Sequence, residues 1–560
     1  MTKQVEVLVV GGSLVGLTTS LFLAQQGVDV LTVEKHLGTA VLPRAAYLQL
    51  RTMELLRVAG IEDKVRAASL ANYAPNGGIG AVETLAGSAI TNFIPSINYG
   101  IEDVSPARRL FLSQHILEPI LLQKARNFGA DIQFSTEMIS YDQDSTGVTA
   151  TLYNRLDKSS RTVRAKYMVA CDGNRSPIRS SLGIHTTGHG LLSRCVTIYF
   201  RADCSKALRN RNINVIYVNN DKLRGFFRLD TGGLGGSLAV FTAGDVKSPD
   251  ARFVADTVTD ASAAQMIRDA VGDPHLRIDS LSVDKWKVFS DVATTFQSGR
   301  ILLAGDAAHT VPPTGGFGGN VGIHDAHNLA WKLAAVLQGQ AGPDLINTYN
   351  QERQPAGALV VEQAYTRYVT RSDPELGTVG MQVAVPDMHV EFNRYRSGAV
   401  LPDVGYIDDG AIDIDPRLSR GLPGTRAPHV ELTRDGEVIS TLDLYTGEFI
   451  LVAGPDGPGW ANAVMGARAA LGVDLLQCRI DRGDTQAWRD SKDGRHTGDL
   501  LDTHGAYSTP FWTKYGIGPS GATLVRPDGY VAWRAIDYTP DAAERLIAAL
   551  RSVLAVGASK

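Results

Sequence analysis

Cysteine is scarce, with four residues in 560. Cys171, Cys195, Cys204 and Cys478 lie far apart and form no C-x-x-C pair. That spacing excludes a thiol–disulfide redox motif, a cysteine-based metal centre and a disulfide framework, and no metal is expected. The chain also lacks any run of about 18 apolar residues and any charged leader followed by an apolar segment. No membrane span or secretory signal is expected, and a cytoplasmic location follows. Charge of one sign is lacking too: 55 Lys and Arg face 59 Asp and Glu, a formal balance of −4. Nothing in that balance points to nucleic acid or an acidic membrane surface as partner. There is no internal repeat or low-complexity tract.

What is present is a globular composition, 44% hydrophobic and 20% charged. The length suits roughly three or four domains of about 150 residues each. The densest signal is Gly305-Asp306-Ala307-Ala308-His309-Thr310-Val311-Pro312-Pro313-Thr314-Gly315-Gly316-Phe317-Gly318-Gly319-Asn320. Residues 300–304 before it read as a buried strand. After it, Ile323, Ala326, Leu329, Ala330, Leu333, Ala334 and Leu337 share one helical face, and Gly339 reads as the stop. The Asp306 carboxylate can accept hydrogen bonds from a polyol. The glycines let a flat ligand approach the backbone. A helix start at Gly319-Asn320-Val321 offers free amides and a positive dipole end to a ligand that becomes anionic. An isoalloxazine with its ribityl chain has all three properties. A plain strand–turn–helix with a Gly-rich connection has the same outline.

Near the N-terminus, residues 5–10 read as a strand. Gly11-Gly12-Ser13-Leu14-Val15-Gly16 follows, then an apolar helix to about residue 26, Gly27 as its stop, and a second strand over 28–33 ending at Glu34. This βαβ layout binds an ADP moiety: a tight turn, pyrophosphate on the helix start, a carboxylate on the ribose hydroxyls. Ser13 stands at the middle glycine of G-x-G-x-x-G, where its hydroxyl can meet a phosphate oxygen. Lys35 comes next in the chain. Arg44, in Pro43-Arg44-Ala45, is either a solvated loop charge or a cofactor contact. Gln114 opens a helix and either bonds a cofactor or caps that helix. Met138 either covers an adenine ring or fills core. Residues 167–171 form a third buried strand. Asp172-Gly173-Asn174-Arg175-Ser176-Pro177-Ile178-Arg179 after it is a turn into a helix or a second nucleotide-contacting loop.

These segments in this order resemble the three fingerprints of the single-component FAD-dependent aromatic hydroxylases, the p-hydroxybenzoate hydroxylase class. Tyr349-Asn350-Gln351-Glu352-Arg353-Gln354-Pro355 resembles the Y-x-x-E-R-x-P segment of that class. The resemblance covers nearly the whole chain and implies an α/β fold: a Rossmann-like FAD-binding domain (1–184 and 291–370), an inserted antiparallel-sheet substrate domain (185–290), a helical or linker segment (371–420) and a C-terminal domain (421–560). Alternating segments within 195–288 agree with the inserted sheet. Phe226, Phe227, Tyr217 and Trp286 there either line an aromatic pocket or pack as core. In the last segment, residues 441–444, 449–452, 473–480, 522–525 and 530–533 read as strands, with helices over 460–471 and from about 540. Pro423–His429 and Gly521–Gly529 resemble the thioredoxin-like C-terminal domain of aromatic polyketide hydroxylases of the aklavinone and angucycline type. Cys478 stands alone there, so a structural or oligomeric role is expected, not a disulfide reductase.

The resemblance implies non-covalent FAD, reduction by NADPH or NADH, and oxygen transfer from a flavin C4a-hydroperoxide to an aromatic ring. The cofactor-binding candidates are Gly11, Ser13, Leu14, Val15, Gly16, Glu34, Lys35, Arg44, Gln114, Met138, Asp172, Asp306, Pro313, Gly316, Gly318, Gly319, Asn320 and Val321. Arg44 and Pro313 are also expected to position the flavin. No residue is identified as a base, and His309 is equally a loop-capping residue. The expected substrate is a bulky polycyclic polyketide; Arg201, Arg224 and Arg228 are candidates to hold the carboxylate of a smaller benzoate instead. The alternatives are a reductase of the same fold, a flavin-dependent halogenase (whose Trp-x-Trp-x-x-Ile pattern is absent), Baeyer–Villiger-type oxidation and a catalytically silent flavin-binding protein. A homo-oligomer is left open.

Overall fold

The computed structural model describes residues 3–557 except 89–90, 435, 483–490, 493–494, 497–499 and 503–509. Four parallel strands organise it. Lys3–Val10 lies between Ser160–Ala170 and Val30–Val33, and Ile301–Leu303 pairs with Ser160–Ala170 on its far side. Val7, Leu8 and Val9 are wholly buried, as are Ile301, Leu302 and Leu303. These runs are continuously apolar because both sheet faces are covered. The helix Leu14–Gln25 lies on the sheet and is buried almost all round. Thr18, Thr19 and Ser20 survive there because each hydroxyl donates to the carbonyl four residues back, at 2.7–2.8 Å. Parallel pairing brings Val10, Ala170 and Leu303 to one edge, where the chain continues into Gly11, Asp172 and Gly305. Motifs up to 294 residues apart thereby become neighbours, as Ala304 N–H to Ala170 C=O (3.0 Å) and Cys171 N–H to Val10 C=O (2.8 Å) attest.

The second sheet is larger than the expected insertion. Its order is His309–Thr310, Ser280–Ala293, Thr186–Arg201, Gly235–Ala243, Leu223–Leu229, Ile213–Asn219, Gly78–Val82, Thr91–Ile94. Five strands fall in or start from the 185–290 window. The others come from outside it, and Gly78–Val82 joins in parallel to Ile213–Asn219. One face packs on a helix absent from the sequence reading, Asp260–Val271. It is capped reciprocally by Thr259 and Ser262, with Ala263, Ile267, Ala270 and Val271 on its buried stripe. The other face looks toward the parallel sheet's motif loops. Residues 371–420 are mostly irregular, with short helical turns at Pro374–Leu376 and Asp387–Glu391.

The C-terminal unit has a sheet ordered Leu475–Arg479, Phe449–Ala453, Ala522–Val525, Val531–Ala535, with helices Trp460–Leu471 and Ala542–Val553. The first pair is parallel and the rest antiparallel, a thioredoxin-like βαβ–ββα arrangement. Thr441–Leu444, expected as a strand, is a 3-10 turn. Ser440 Oγ accepts from Leu442 N–H (3.0 Å) and Asp443 Oδ2 from Ser440 N–H (2.9 Å); this reciprocal cap prevails over strand pairing.

Candidate functional site

A cavity of about 650 Å³ separates the three motif loops from the inner sheet face. Leu14, Lys35, Arg44, Gln114, Asp172, Asp306, Pro313, Gly316, Gly318, Gly319 and Asn320 line it from the motif side. Tyr199, Tyr217, Phe226, Arg228 and Trp286 line it from the sheet, with Arg371 alongside. Phe227, the neighbour of Phe226, faces away and is wholly buried against the Asp260–Val271 side, as strand alternation requires.

The fingerprint glycines act through packing. Gly11 has φ +107°, and a Cβ there would stand 2.2 Å from the Cys171 carbonyl oxygen. A Cβ on Gly16 would stand 1.8 Å from the Gly11 carbonyl oxygen. Neither residue lines the cavity; both let the loop close on strand and helix. Glu34 sits at the strand end as expected, its Oε2 accepting from Gly12 N–H (2.7 Å) and its Oε1 from His36 N–H (2.9 Å). Ser13 takes a partner the sequence did not suggest: its hydroxyl donates to Glu118 Oε1 (2.6 Å) and accepts from Gln114 Nε2 (2.9 Å). Glu118, wholly buried, also accepts from Gln114 (2.6 Å) and from Ala40 N–H (2.6 Å), fixing the loop before Arg44. The only sequence trace of this clamp is the i,i+4 spacing of Gln114 and Glu118.

Asp172 Oδ1 accepts from Ser176 Oγ (2.6 Å) and Oδ2 from Ile178 N–H (3.2 Å), capping the short helix Pro177–Ser181. Arg179 Nη1 reaches across to the Ala307 carbonyl (2.8 Å) and ties the second motif to the third. Asp306 lies on the turn Gly305–Ala307. Its carboxylate opens into the cavity and takes no hydrogen bond from any described residue. The protein atoms crowded around it raise its pKa, opposed by His309 and Arg44, although the side chain stays accessible from the cavity. Arg44 is 63% exposed at the cavity edge, with Asp284 of the sheet at 3.6 Å.

Gly316, in the left-handed region at φ +66°, is the N-cap of a helix that runs Phe317–Leu337. The helix therefore starts two residues before the expected Gly319. Its first four amides are those of Phe317, Gly318, Gly319 and Asn320. Val321 falls one residue beyond them and is buried in an apolar cluster with Phe317, Val360 and Val390, away from the cavity. Asn320 spends its side chain on the scaffold: Oδ1 accepts from Gln49 N–H (3.0 Å) and Nδ2 donates to the Tyr47 (2.8 Å) and Gly316 (2.7 Å) carbonyls. Val15 does not line the cavity; it wedges against Gly305 and Gly322, where added Cβ atoms would meet its Cγ2 at 2.7 and 2.5 Å. Met138 is likewise outside. It sits on strand Thr136–Asp144, paired with Leu152 and packed on the main core.

His309 is buried, its Nε2 2.7 Å from Asp325 Oδ2, so it belongs to the scaffold and not to a solvated loop. Of the three arginine candidates, Arg224 pairs with Asp373 (3.4 Å) and Glu375 (3.2 Å), and Arg201 lies exposed at the sheet's end. Arg228 lines the cavity. Its Nη2 donates to the Pro43 carbonyl, its Nε is buried without a partner, and burial lowers its pKa. Tyr217 is buried beside Arg371, which partly offsets the upward effect of burial on the phenol. Arg371, Tyr199 and Glu118 are among the site residues that the sequence reading missed.

The cavity has the acceptor, the donors and the shape for a flavin dinucleotide: a free carboxylate at Asp306, unpaired helix amides, and glycines where side chains would collide. This defines a flavoprotein, and the FAD binding domain family matches residues 4–364. The C-terminal domain family of aromatic-ring hydroxylases matches residues 420–556, and the chain belongs to these FAD-dependent aromatic-ring hydroxylases. It is 45% identical to 4-methyl-5-nitrocatechol 5-monooxygenase of a Burkholderia species over 556 residues, 98% of each chain. It is 38% identical to an aklavinone 12-hydroxylase of Streptomyces purpurascens over 564 residues, 98% of this chain and 99% of the other. The ternary complex of aklavinone-11 hydroxylase with FAD and aklavinone superposes with TM-score 0.88 at 38% identity, covering 99% of this chain and 100% of that one. The protein is a flavoprotein monooxygenase that binds FAD and acts on an aromatic substrate. No helix among the described residues is long and apolar enough to cross a membrane.

None of the described residues that line the cavity is histidine or cysteine. Acid precipitation is accordingly expected to release all the FAD into the supernatant; flavin retained on the denatured chain, read by absorbance, would contradict this.

Proposed function

We propose that an electron-rich phenolic ring binds between the Gly-rich turn and the sheet, anchored through an oxygen atom by Arg228, and gains one atom of O2 with NADPH or NADH as reductant. Bound FAD supplies the oxygen activation. The chain binds the ring, orients it and keeps water out. Asp306 accepts hydrogen bonds from the ribityl hydroxyls, and the amides of Phe317 to Asn320 favour negative charge on the flavin ring.

The observation that carries the anchor is Arg228. Its guanidinium is held beside Tyr73 and Tyr199 with no carboxylate partner among the described residues. A half-buried cation whose Nε is enclosed without a partner is stabilised when a ligand supplies the counter-charge. A phenolate oxygen does so, and a two-pronged guanidinium contact also fixes the ring plane. Arg371 adds a second positive charge on the same wall. Replacing Arg228 with Met is expected to raise KM for the phenol roughly 10- to 100-fold, the equivalent of about 1.5–3 kcal/mol for a charged hydrogen bond, with a smaller change in kcat. An unchanged KM would remove Arg228 from the site.

An extended ring system is favoured by an open groove of about 510 Å³ that shares Tyr199, Arg228 and Ser237 with the cavity. It continues along the same sheet face, since Arg201, Ser280 and Ser282 follow Tyr199 and Asp284 at strand spacing. The similarity to the nitrocatechol enzyme favours a single ring in the cavity alone. Product mass spectrometry with labelled O2 separates them. Polycyclic phenols are expected to stimulate nicotinamide oxidation and to incorporate label with high coupling. Coupled turnover of single-ring phenols with inert polycycles would overturn the extended reading.

A further inference from the structure

The C-terminal domain holds a lone cysteine, and none of its described residues lines the cavity wall. Its hairpin turn nevertheless drives two charged side chains into the flavin domain. Arg526 and Asp528 are buried there. Arg526 Nη1 and Nη2 donate to the two carboxylate oxygens of Glu352, at 2.6 and 2.9 Å, and its Nε donates to Asp528 Oδ1 at 3.0 Å. Asp528 Oδ2 in turn accepts from Trp331 Nε1 (3.1 Å) and Asn328 Nδ2 (3.2 Å) on the Phe317–Leu337 helix.

Glu352 and Arg353 are successive residues of the helix Asn347–Arg371, so they face different ways. Arg353 turns inward. Its Nε donates to Asp325 Oδ1 (2.8 Å), its Nη2 to the Val321 carbonyl (3.2 Å) and its Nη1 to the Tyr395 hydroxyl (3.0 Å). The other oxygen of Asp325 accepts from Gly305 N–H (3.1 Å) and His309 Nε2 (2.7 Å), the two ends of the turn that carries Asp306. Asp325 is fully buried, yet His309 and Arg353 keep its pKa low and the carboxylate charged. Tyr395 also stacks on Tyr530 of the hairpin, ring centroids 4.1 Å apart, and lies against both Arg353 and Arg526.

We propose that the C-terminal domain positions the flavin-contacting turn, through Arg526 on Glu352–Arg353 and through Arg353 on Asp325. Arg526 and Asp325 are positioning residues. The hairpin fixes the rotation of the Glu352–Arg353 helix, and Asp325 converts that rotation into the placement of Gly305, Asp306 and His309. Any coupling requires contiguous groups with little freedom to relax, which a chain of buried ionic contacts provides. The proposal rests on the assignment of Asp306 to FAD.

The test is a double-mutant cycle with FAD dissociation as the observable. Apoprotein of the full chain is titrated with FAD, following flavin fluorescence, for wild type, Arg526→Lys, Asp325→Asn and the double variant. Lysine keeps the charge and loses the fork that grips Glu352. Arg526→Lys is expected to weaken FAD about three- to tenfold and to shift the visible spectrum of the bound flavin, at a temperature where circular dichroism shows the fold intact. The double variant is expected to bind no worse than Asp325→Asn alone, because the two act in series. If Arg526→Lys binds FAD as wild type does, or if the two losses multiply, the proposal is overturned. Should either variant fail to fold, Tyr395→Phe and Arg353→Lys interrupt the same chain and take their places in the cycle. Asp306→Ala is the control. If it leaves FAD affinity unchanged, the assignment of the turn fails; if it weakens FAD while Arg526→Lys does not, only the coupling fails.

Discussion

Replacing Glu352 with Ala is expected to destabilise the protein more than any other single change to the buried charges, by roughly 3–5 kcal/mol. Glu352 accepts from Lys332 Nζ (2.7 Å), Asn328 Nδ2 (2.7 Å), Ser397 Oγ (2.6 Å) and both Arg526 terminal nitrogens. Lys332, Glu352 and Arg526 side chains are all 0% exposed. Removing the carboxylate leaves two cations buried with Asp528 as the remaining counter-charge, and an uncompensated buried charge is far costlier than the net worth of the pair it came from. Denaturant titration checks the loss. Converting Lys332, Glu352 and Arg526 together to apolar residues of similar volume is expected to recover much of it. A Glu352→Ala protein as stable as wild type would mean that water enters the network.

The same network gives the protein a pH dependence with a definite sign. Arg526 and Lys332 hold the Glu352 carboxyl well below its usual range, and Asp325 is lowered by His309 and Arg353. A carboxylate with a depressed folded-state pKa binds fewer protons folded than unfolded, so its stabilisation is complete above the unfolded value and is lost as pH falls through the folded one. Stability is therefore expected to decline on acidification below about pH 4.5. Lys332 acts on the alkaline side. Burial pushes its pKa down to about 8, so the folded state releases that proton first and stability rises as pH climbs from about 8 toward the unfolded value. Replacing Lys332 with Met is expected to abolish the alkaline rise and spare the acid decline.

The parallel sheet and its three loops were legible because each carries a local signature: an apolar run, a glycine that no other residue can replace, a helix with its stop. Gly11 and Gly305 could be read for that reason, and so could the helix after Gly316, displaced by two residues because a left-handed N-cap leaves no periodic trace. Val15 and Val321 were assigned to the cofactor by motif position alone, and Met138 by its place after the strand at 131–134. The structure gives their side chains to packing, which depends on partners hundreds of residues away. Glu118, Asp325 and Arg371 were not legible for the same reason: Asp325 meets Gly305 and Arg353 across 20 and 28 residues, and single-sequence periodicity contains no such pairing. The 3-10 turn at Thr441–Leu444 was misread because its apolar alternation imitates a strand while a two-residue cap decides the conformation.

Replacing Asp306 with Ala is expected to lower FAD affinity by roughly 10- to 100-fold, the counterpart of losing a charged hydrogen bond worth about 1.5–3 kcal/mol. The geometry makes this carboxylate unusual among those of the motif loops and the facing sheet. Glu34 is occupied by Gly12 and His36, Asp172 by Ser176 and Ile178, and Asp284 lies near Arg44, whereas Asp306 takes no donor from the described residues. Its side chain is accessible from the cavity, so ligand hydroxyls can reach both oxygens without displacing a protein donor, and a charged acceptor makes the stronger hydrogen bond. The loss should therefore appear in FAD binding and spare the fold, whose turn is held from behind by Asp325 and Arg179. Asp306→Asn, which keeps an acceptor oxygen without the charge, should lose less than Asp306→Ala. Equilibrium dialysis followed by flavin absorbance reads both. Full retention of FAD by Asp306→Ala would place the ribityl chain elsewhere on the cavity wall, whereas a loss of FAD accompanied by unfolding would make Asp306 a residue of the scaffold.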